Sequence, residues 1–120
     1  MELKNEFNSI RDWANTKGIY SSGDIKTQCL KLQEEVGELS RAIIRNDRDE
    51  IIDAIGDCVI VLTSIAEFVK HVPVSNNKFT GVELNESISI EKCINLAYNV
   101  IKNRQGKMEN GSFKKEENEI

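Results

Sequence analysis

Lys31-Leu32-Gln33-Glu34-Glu35-Val36-Gly37-Glu38-Leu39 and Asp53-Ala54-Ile55-Gly56-Asp57-Cys58-Val59-Ile60-Val61-Leu62, joined through the short polar link Arg45-Asn46-Asp47-Arg48, decide the fold. Each segment repeats apolar residues at intervals of three and four, the period of a helix with one buried face. In the first, Cys29, Leu32, Val36, Leu39 and Ile43 form the expected core stripe of a helix over about 25–45. In the second the stripe is Ile51, Ile55, Cys58, Leu62, Ile65 and Val69. Asp47 and Glu50 have the spacing of a capping box that opens this helix, and Pro73 ends it. So short a link makes the two helices antiparallel neighbours.

Beside each apolar stripe runs a stripe of acids. Glu35 and Glu38 each precede a core position, as do Glu50 and Asp57 on the other helix, so both acid stripes are rotated about 100° from the core in the same sense. Counting outward from Asn46 and Asp47 sets Glu38 level with Asp53 or Ala54, and Glu35 level with Asp57. Four carboxylates are therefore expected to converge. Like charges held together in a partly buried cleft repel unless a cation neutralises them. A hard divalent ion, Mg²⁺ or Mn²⁺, suits such oxygen ligands, whereas zinc favours the His or Cys that this site lacks. Taken alone, Glu34, Glu35 and Glu38 also fit a solvated helix face; the matched acids on the adjoining helix point to metal. Gly37 and Gly56, each one residue after a core position, imply either a close approach by another backbone or simple tolerance.

Working outward, Leu3, Phe7, Ile10 and Ala14 mark a first helix over about 2–17, with Gly18 as its stop. Ser21-Ser22-Gly23-Asp24 reads as a polar turn in which Asp24 caps the next helix. Residues 74–88 form a long Asn- and Ser-containing connection, and a fourth helix over about 89–104 carries Ile90, Ile94, Ala97 and Ile101. Residues 1–105 are thus expected to be one helical domain and 106–120 a tail with little regular structure; no strand pattern is evident. The fold class is all-α, a four-helix bundle.

With 120 residues, 39% hydrophobic and 30% charged, the chain has a modest core for a monomer, and oligomerisation is expected to complete it. A net charge of −4 argues against binding a nucleic-acid polymer. No apolar run approaches the roughly 20 residues that span a bilayer, and the start lacks a signal-peptide core, so a cytoplasmic protein with no membrane partner is expected. Cys29, Cys58 and Cys93 are too widely spaced for a Cys-x-x-Cys site and read as core thiols.

The Glu34-Glu35-x-x-Glu38 motif, followed by an acidic helix that carries Gly56-Asp57, resembles the MazG-like all-α nucleoside triphosphate pyrophosphohydrolases, relatives of the dimeric dUTPases. Trp13-Ala14-x-x-Lys17-Gly18-Ile19, Gln28-x-x-Lys31-Leu32 and Tyr98-Asn99-x-x-Lys102-Asn103-Arg104-x-Gly106-Lys107 extend the resemblance over most of the chain. It implies hydrolysis of an NTP or dNTP to the monophosphate and pyrophosphate, a Mg²⁺ or Mn²⁺ cofactor, and a homodimer or tetramer. Glu34, Glu35, Glu38 and Asp57 would be catalytic, with Glu35, Glu38, Asp53 and Asp57 as metal ligands and Glu50 in reserve. The family pattern would place a further glutamate at position 54, where this chain has Ala54. Lys102, Arg104 and Lys107 would meet the phosphates. Lys31 is either a further substrate contact or an ion-pair partner within the acid stripe. Trp13 packs in the core or stacks on a base, and Gln28 and Asn99 are candidates to read base edges.

Overall fold

A computed structural model of the chain describes residues 3–73, 78–79 and 88–116. These described residues form five α-helices: α1 (Leu3–Thr16), the single turn α2 (Ile19–Ser22), α3 (Ile25–Ile44), α4 (Arg48–Phe68) and α5 (Ile90–Ile101). The fold is all-α apart from a hairpin of β1 (Gly106–Glu109) and β2 (Ser112–Lys115). The long connection expected over 74–88 lies almost wholly outside the described residues.

Local chemistry sets the helix ends. Gly18 adopts φ 81°, the left-handed conformation that halts α1 without a Cβ clash, and the chain restarts at once as α2. That turn replaces the irregular link expected around Ser21 and Ser22. Asp24 caps α3 by accepting from the Thr27 amide at 2.8 Å. At the other end, Asn46 takes φ 55°, its amide donates to Ile43 O, and the Asp47 amide donates back to Ala42 O at 3.0 Å. These are the two bonds of a Schellman stop, with Asn in the place more often held by Gly. Asp47 then caps α4 through the Glu50 amide at 3.2 Å. One residue thus closes one helix and opens the next, which forces α3 and α4 antiparallel.

The core lies where α1, α4 and α5 meet, around Phe7, Ala66 and Ile90, with Ile10 and Cys93 at its edge. Arg11 on α1 donates to both oxygens of Glu91 on α5, at 2.6 and 2.9 Å, and lies 3.7 Å from Glu67 on α4. Tyr20 sets α2 edge-on against Phe68, with centroids 5.7 Å apart.

The buried faces of α3 and α4 differ from the expected stripes. On α3 the fully buried positions are Glu35 and Ala42, while Cys29 is exposed and Val36 and Ile43 are 46% and 53% exposed. On α4 they are Ala54, Val61, Thr63, Ser64, Ala66 and Phe68, leaving Ile55 51% exposed. Both helices carry apolar residues on more than one face, so periodicity alone cannot say which face packs within the chain. Gly37 and Gly56 show no close backbone approach: a Cβ at Gly56 would meet nothing within 4 Å, and one at Gly37 only the Arg41 guanidinium at 3.7 Å.

The tail is a second correction. Residues 106–115 pair as an antiparallel hairpin with Met108 opposite Phe113 and Lys107 opposite Lys114. Asn110 and Gly111, at φ 50° and 84°, supply the tight turn. Asn-Gly between short alternating segments is a strong hairpin signal, masked here by the surrounding charge.

Candidate metal and nucleotide site

The α3–α4 turn fixes the level at which acids face each other. Glu35, Glu38 and Asp57 each offer a carboxylate oxygen, and these oxygens lie within 4.8 Å of one another. Glu35 is 6% exposed, an unusual position for an acid, and its Oε2 is buried without a hydrogen-bond partner among the described residues. Its Oε1 lies 3.2 Å from the Lys31 Nζ, which also approaches Glu34 at 3.6 Å.

The electrostatics record the crowding. The Glu35 charge, above all, holds the Glu38 carboxyl above the usual carboxylate range. Burial does the same to Asp57, reinforced by Asp53 and Glu35 and partly offset by Lys31. The hydrogen bond to Glu35 and the charge of Glu34 strengthen the hold of Lys31 on its proton. Burial and then the acid charges push up the neighbouring Cys58 thiol. Such a group is costly to assemble unless a cation joins it. The donors are all carboxylate oxygens, and one of them is a buried orphan, so the residues present fit a hard divalent ion.

Asp53 and Glu50 do not belong to this group. Asp53 is exposed on α4 and reaches the site only through its charge on Asp57. Glu50 lines a separate hollow with Glu38, Arg41 and Arg45. Ala54, the position where the family resemblance implies an acid, is buried one turn before Asp57. Among the described residues three carboxylates rather than four therefore meet.

Beside the acids opens a cavity of about 650 Å³ between α1, α3 and α4. Glu35, Asp57 and Lys31 form its polar end; Ile10, Trp13, Ile19, Ile60 and Val61 form an apolar wall. Trp13 is 50% exposed, so it belongs to the cavity wall and core packing does not account for it. Gln28 lies in the lining too, two turns before Glu35. Ser64, buried and two turns after Asp57, completes the corresponding row on α4. Sequence reading passed over Ser64, although a serine seven residues after Asp57 in an apolar run is its signal.

Asn99, expected at a base edge, and the three cations expected at the phosphates stand elsewhere. Asn99 donates to Asn95 at 3.2 Å on the exposed face of α5. Lys102 follows α5, Arg104 donates its amide to Ile101 O, and Lys107 on β1 lies 3.8 Å from Glu109. None of these four lines the cavity.

The chain is thus an all-α protein whose helical hairpin brings Glu35 and Glu38 together with an aspartate of the next helix, beside an open cavity. The MazG nucleotide pyrophosphohydrolase domain matches residues 24–107, and the chain belongs to that family. A protein of Haemophilus phage HP1 (strain HP1c1), described as an uncharacterized 18.2 kDa protein in the rep-hol intergenic region, is 33% identical over 66 residues. The match spans 55% of this chain and 40% of the phage protein, well under half of that relative's length. No solved structure matches the chain.

Proposed function

We propose that the chain is a metal-dependent nucleoside triphosphate pyrophosphohydrolase, converting an NTP or dNTP to the monophosphate and pyrophosphate. The observation that carries this is the three-carboxylate cluster, two of whose members, Glu35 and Asp57, line the cavity, with a buried oxygen on Glu35 that has no partner among the described residues. Glu35, Glu38 and Asp57 would hold Mg²⁺ or Mn²⁺. When bound, the ion would offset charge on the phosphate oxygens. Around it the chain's own groups orient the substrate: Trp13 offers its ring to the base, Gln28 and Ser64 offer hydrogen-bonding groups, and the apolar wall excludes water. Glu34, one residue before Glu35 and outside both the acid cluster and the cavity lining, would orient the attacking water only from the flank of the site. Attack at the α-phosphorus breaks its bond to the bridging oxygen, and pyrophosphate leaves.

The working form is a homodimer or tetramer. Ile52 and Ile55 on α4 are 58% and 51% exposed, and Val36 and Ile43 on α3 are 46% and 53% exposed, large apolar side chains that a partner chain would cover. Gly56 on the same helix has open space beside it, where another helix could come close. A partner would also be the source of the phosphate-binding cations, since Lys102, Arg104 and Lys107 do not line their own chain's cavity.

A second reading rests on Ala54. With no acid there, a weakened centre would bind nucleotide and turn it over slowly or not at all. A panel of NTPs and dNTPs, run with each divalent metal and read as pyrophosphate formed, separates the two. Metal-dependent pyrophosphate from at least one nucleotide supports the enzyme; binding by calorimetry with no pyrophosphate supports the weakened module.

A further inference from the structure

Lys31 is the one cationic side chain lining the cavity among the described residues, and it is already engaged. Its ammonium lies 3.2 Å from Glu35 Oε1 and 3.6 Å from Glu34 Oε2, one turn along the same helix. Its side chain is 52% exposed, whereas that of Glu35 is 7% exposed. One partner is fixed and buried; the other is long, flexible and free to move. A single positive charge only partly neutralises the three convergent acids, and Glu35 Oε2 still has no partner. A divalent ion among those acids satisfies more of the negative charge than the ammonium does, and would repel the ammonium at this range.

We propose that Lys31 is an exchangeable counterion: it holds Glu35 while the site is empty, is displaced when a divalent ion binds, and then neutralises the substrate's phosphates in the adjoining cavity. This rests on the metal-dependent reading given above and adds to it an order of events. The ammonium has a destination because its side chain already lines the cavity, one turn after Gln28 on the wall that faces Trp13. The exchange couples the two ligands. Metal binding frees the group that phosphate needs, and phosphate binding draws away the group that competes with metal, so each raises the other's affinity by the same factor. Lys31 is in this sense a positioning residue for the metal and a direct contact for the substrate.

The test uses the full chain and two base-independent probes, Mn²⁺ alone and inorganic tripolyphosphate added to the Mn²⁺-saturated protein, both followed by calorimetry. Lys31→Met keeps the aliphatic stem and removes the charge. It should tighten Mn²⁺ binding by roughly three- to tenfold, because a competing counterion is gone. It should weaken tripolyphosphate binding by roughly tenfold, because a charge-assisted contact is lost. Lys31→Arg, which retains the charge, should shift both affinities in the wild-type direction and so report on folding. A purely structural salt bridge would leave the two affinities unchanged or weaken both, and either result overturns the exchange. Absence of Mn²⁺ binding in the wild type would overturn the metal reading and the exchange together, whereas wild-type binding with unmoved Lys31→Met affinities overturns the exchange alone.

Discussion

Glu35 on α3 and Asp57 on α4 present carboxylate oxygens within 4.8 Å of each other, although 22 positions of sequence and a helix reversal separate them. That proximity is produced by the Schellman stop at Asn46 and the cap at Asp47, which fix both helices at one register. Its electrostatic consequences can be measured without substrate.

Glu38 and Asp57 have raised pKa values in the folded, metal-free chain. Stability from such groups is fully present below their unfolded pKa and is lost as pH rises through the folded value. Asp24 and Glu91, whose pKa values are lowered, act in the opposite sense, keeping their contribution above the unfolded pKa and losing it in acid. The useful readout is therefore the Tm difference between wild type and Asp57→Asn. The metal-free variant should gain on wild type as pH rises from about 4 towards 7. Added Mg²⁺ should raise the wild-type Tm more at neutral pH than at about pH 5, since the ligands must be deprotonated. Equal stabilisation at both pH values would argue that Mg²⁺ acts elsewhere.

Ala54→Glu would place a fourth carboxylate on the buried side of α4, one turn before Asp57. In the metal-free protein this should lower stability by about 1–3 kcal/mol, from overpacking and added repulsion. Saturating Mn²⁺ should recover that loss and bind more tightly than to wild type. A variant that loses stability and gains no metal affinity would show that residue 54 does not face the ion.

Trp13 is the sole tryptophan, so its fluorescence reports on the cavity directly. Nucleotide binding should quench it, and tripolyphosphate, which has no base, should not. Trp13→Ala should weaken nucleotide binding by about 1–3 kcal/mol, the range found for base stacking on an aromatic ring. Equal loss of nucleotide and tripolyphosphate affinity in that variant would point to a structural role instead.

The exposed row on α4 should behave as an interface. Ile55→Lys is expected to leave helix content intact by circular dichroism while shifting the mass measured by light scattering from an oligomer to a monomer. An oligomer that survives this change would place the interface on another surface.

How far the sequence could be read depended on the kind of signal. Caps and stops were legible because they are local: Asp24, Asp47 and the end of α4 before Pro73 follow from residue type and spacing. The meeting of Glu35, Glu38 and Asp57 was legible because a short link leaves two helices little choice of register. Orientation about the helix axis was not. Val36 and Ile43 have core chemistry, yet they lie on the outer face while Glu35 is buried, because a helix with apolar residues on several sides does not declare which side its own chain covers. The same ambiguity made core packing the first expectation for Trp13 and base stacking the alternative, whereas Trp13 lines the cavity half exposed. Between Asp53 and Ala54 one residue is a rotation of about 100°, enough to carry a carboxylate away from the cluster. The hairpin at Asn110-Gly111 was a readable signal outweighed by the charged composition around it.

The most direct test is titration of Mn²⁺ into the full, nucleotide-free chain, in wild type and in Glu35→Gln and Asp57→Asn. Saturable binding in wild type that falls by roughly tenfold or more in each variant, with helix content unchanged, is the expected result. Wild-type binding that persists undiminished in both variants would contradict the assignment of these acids as the metal site.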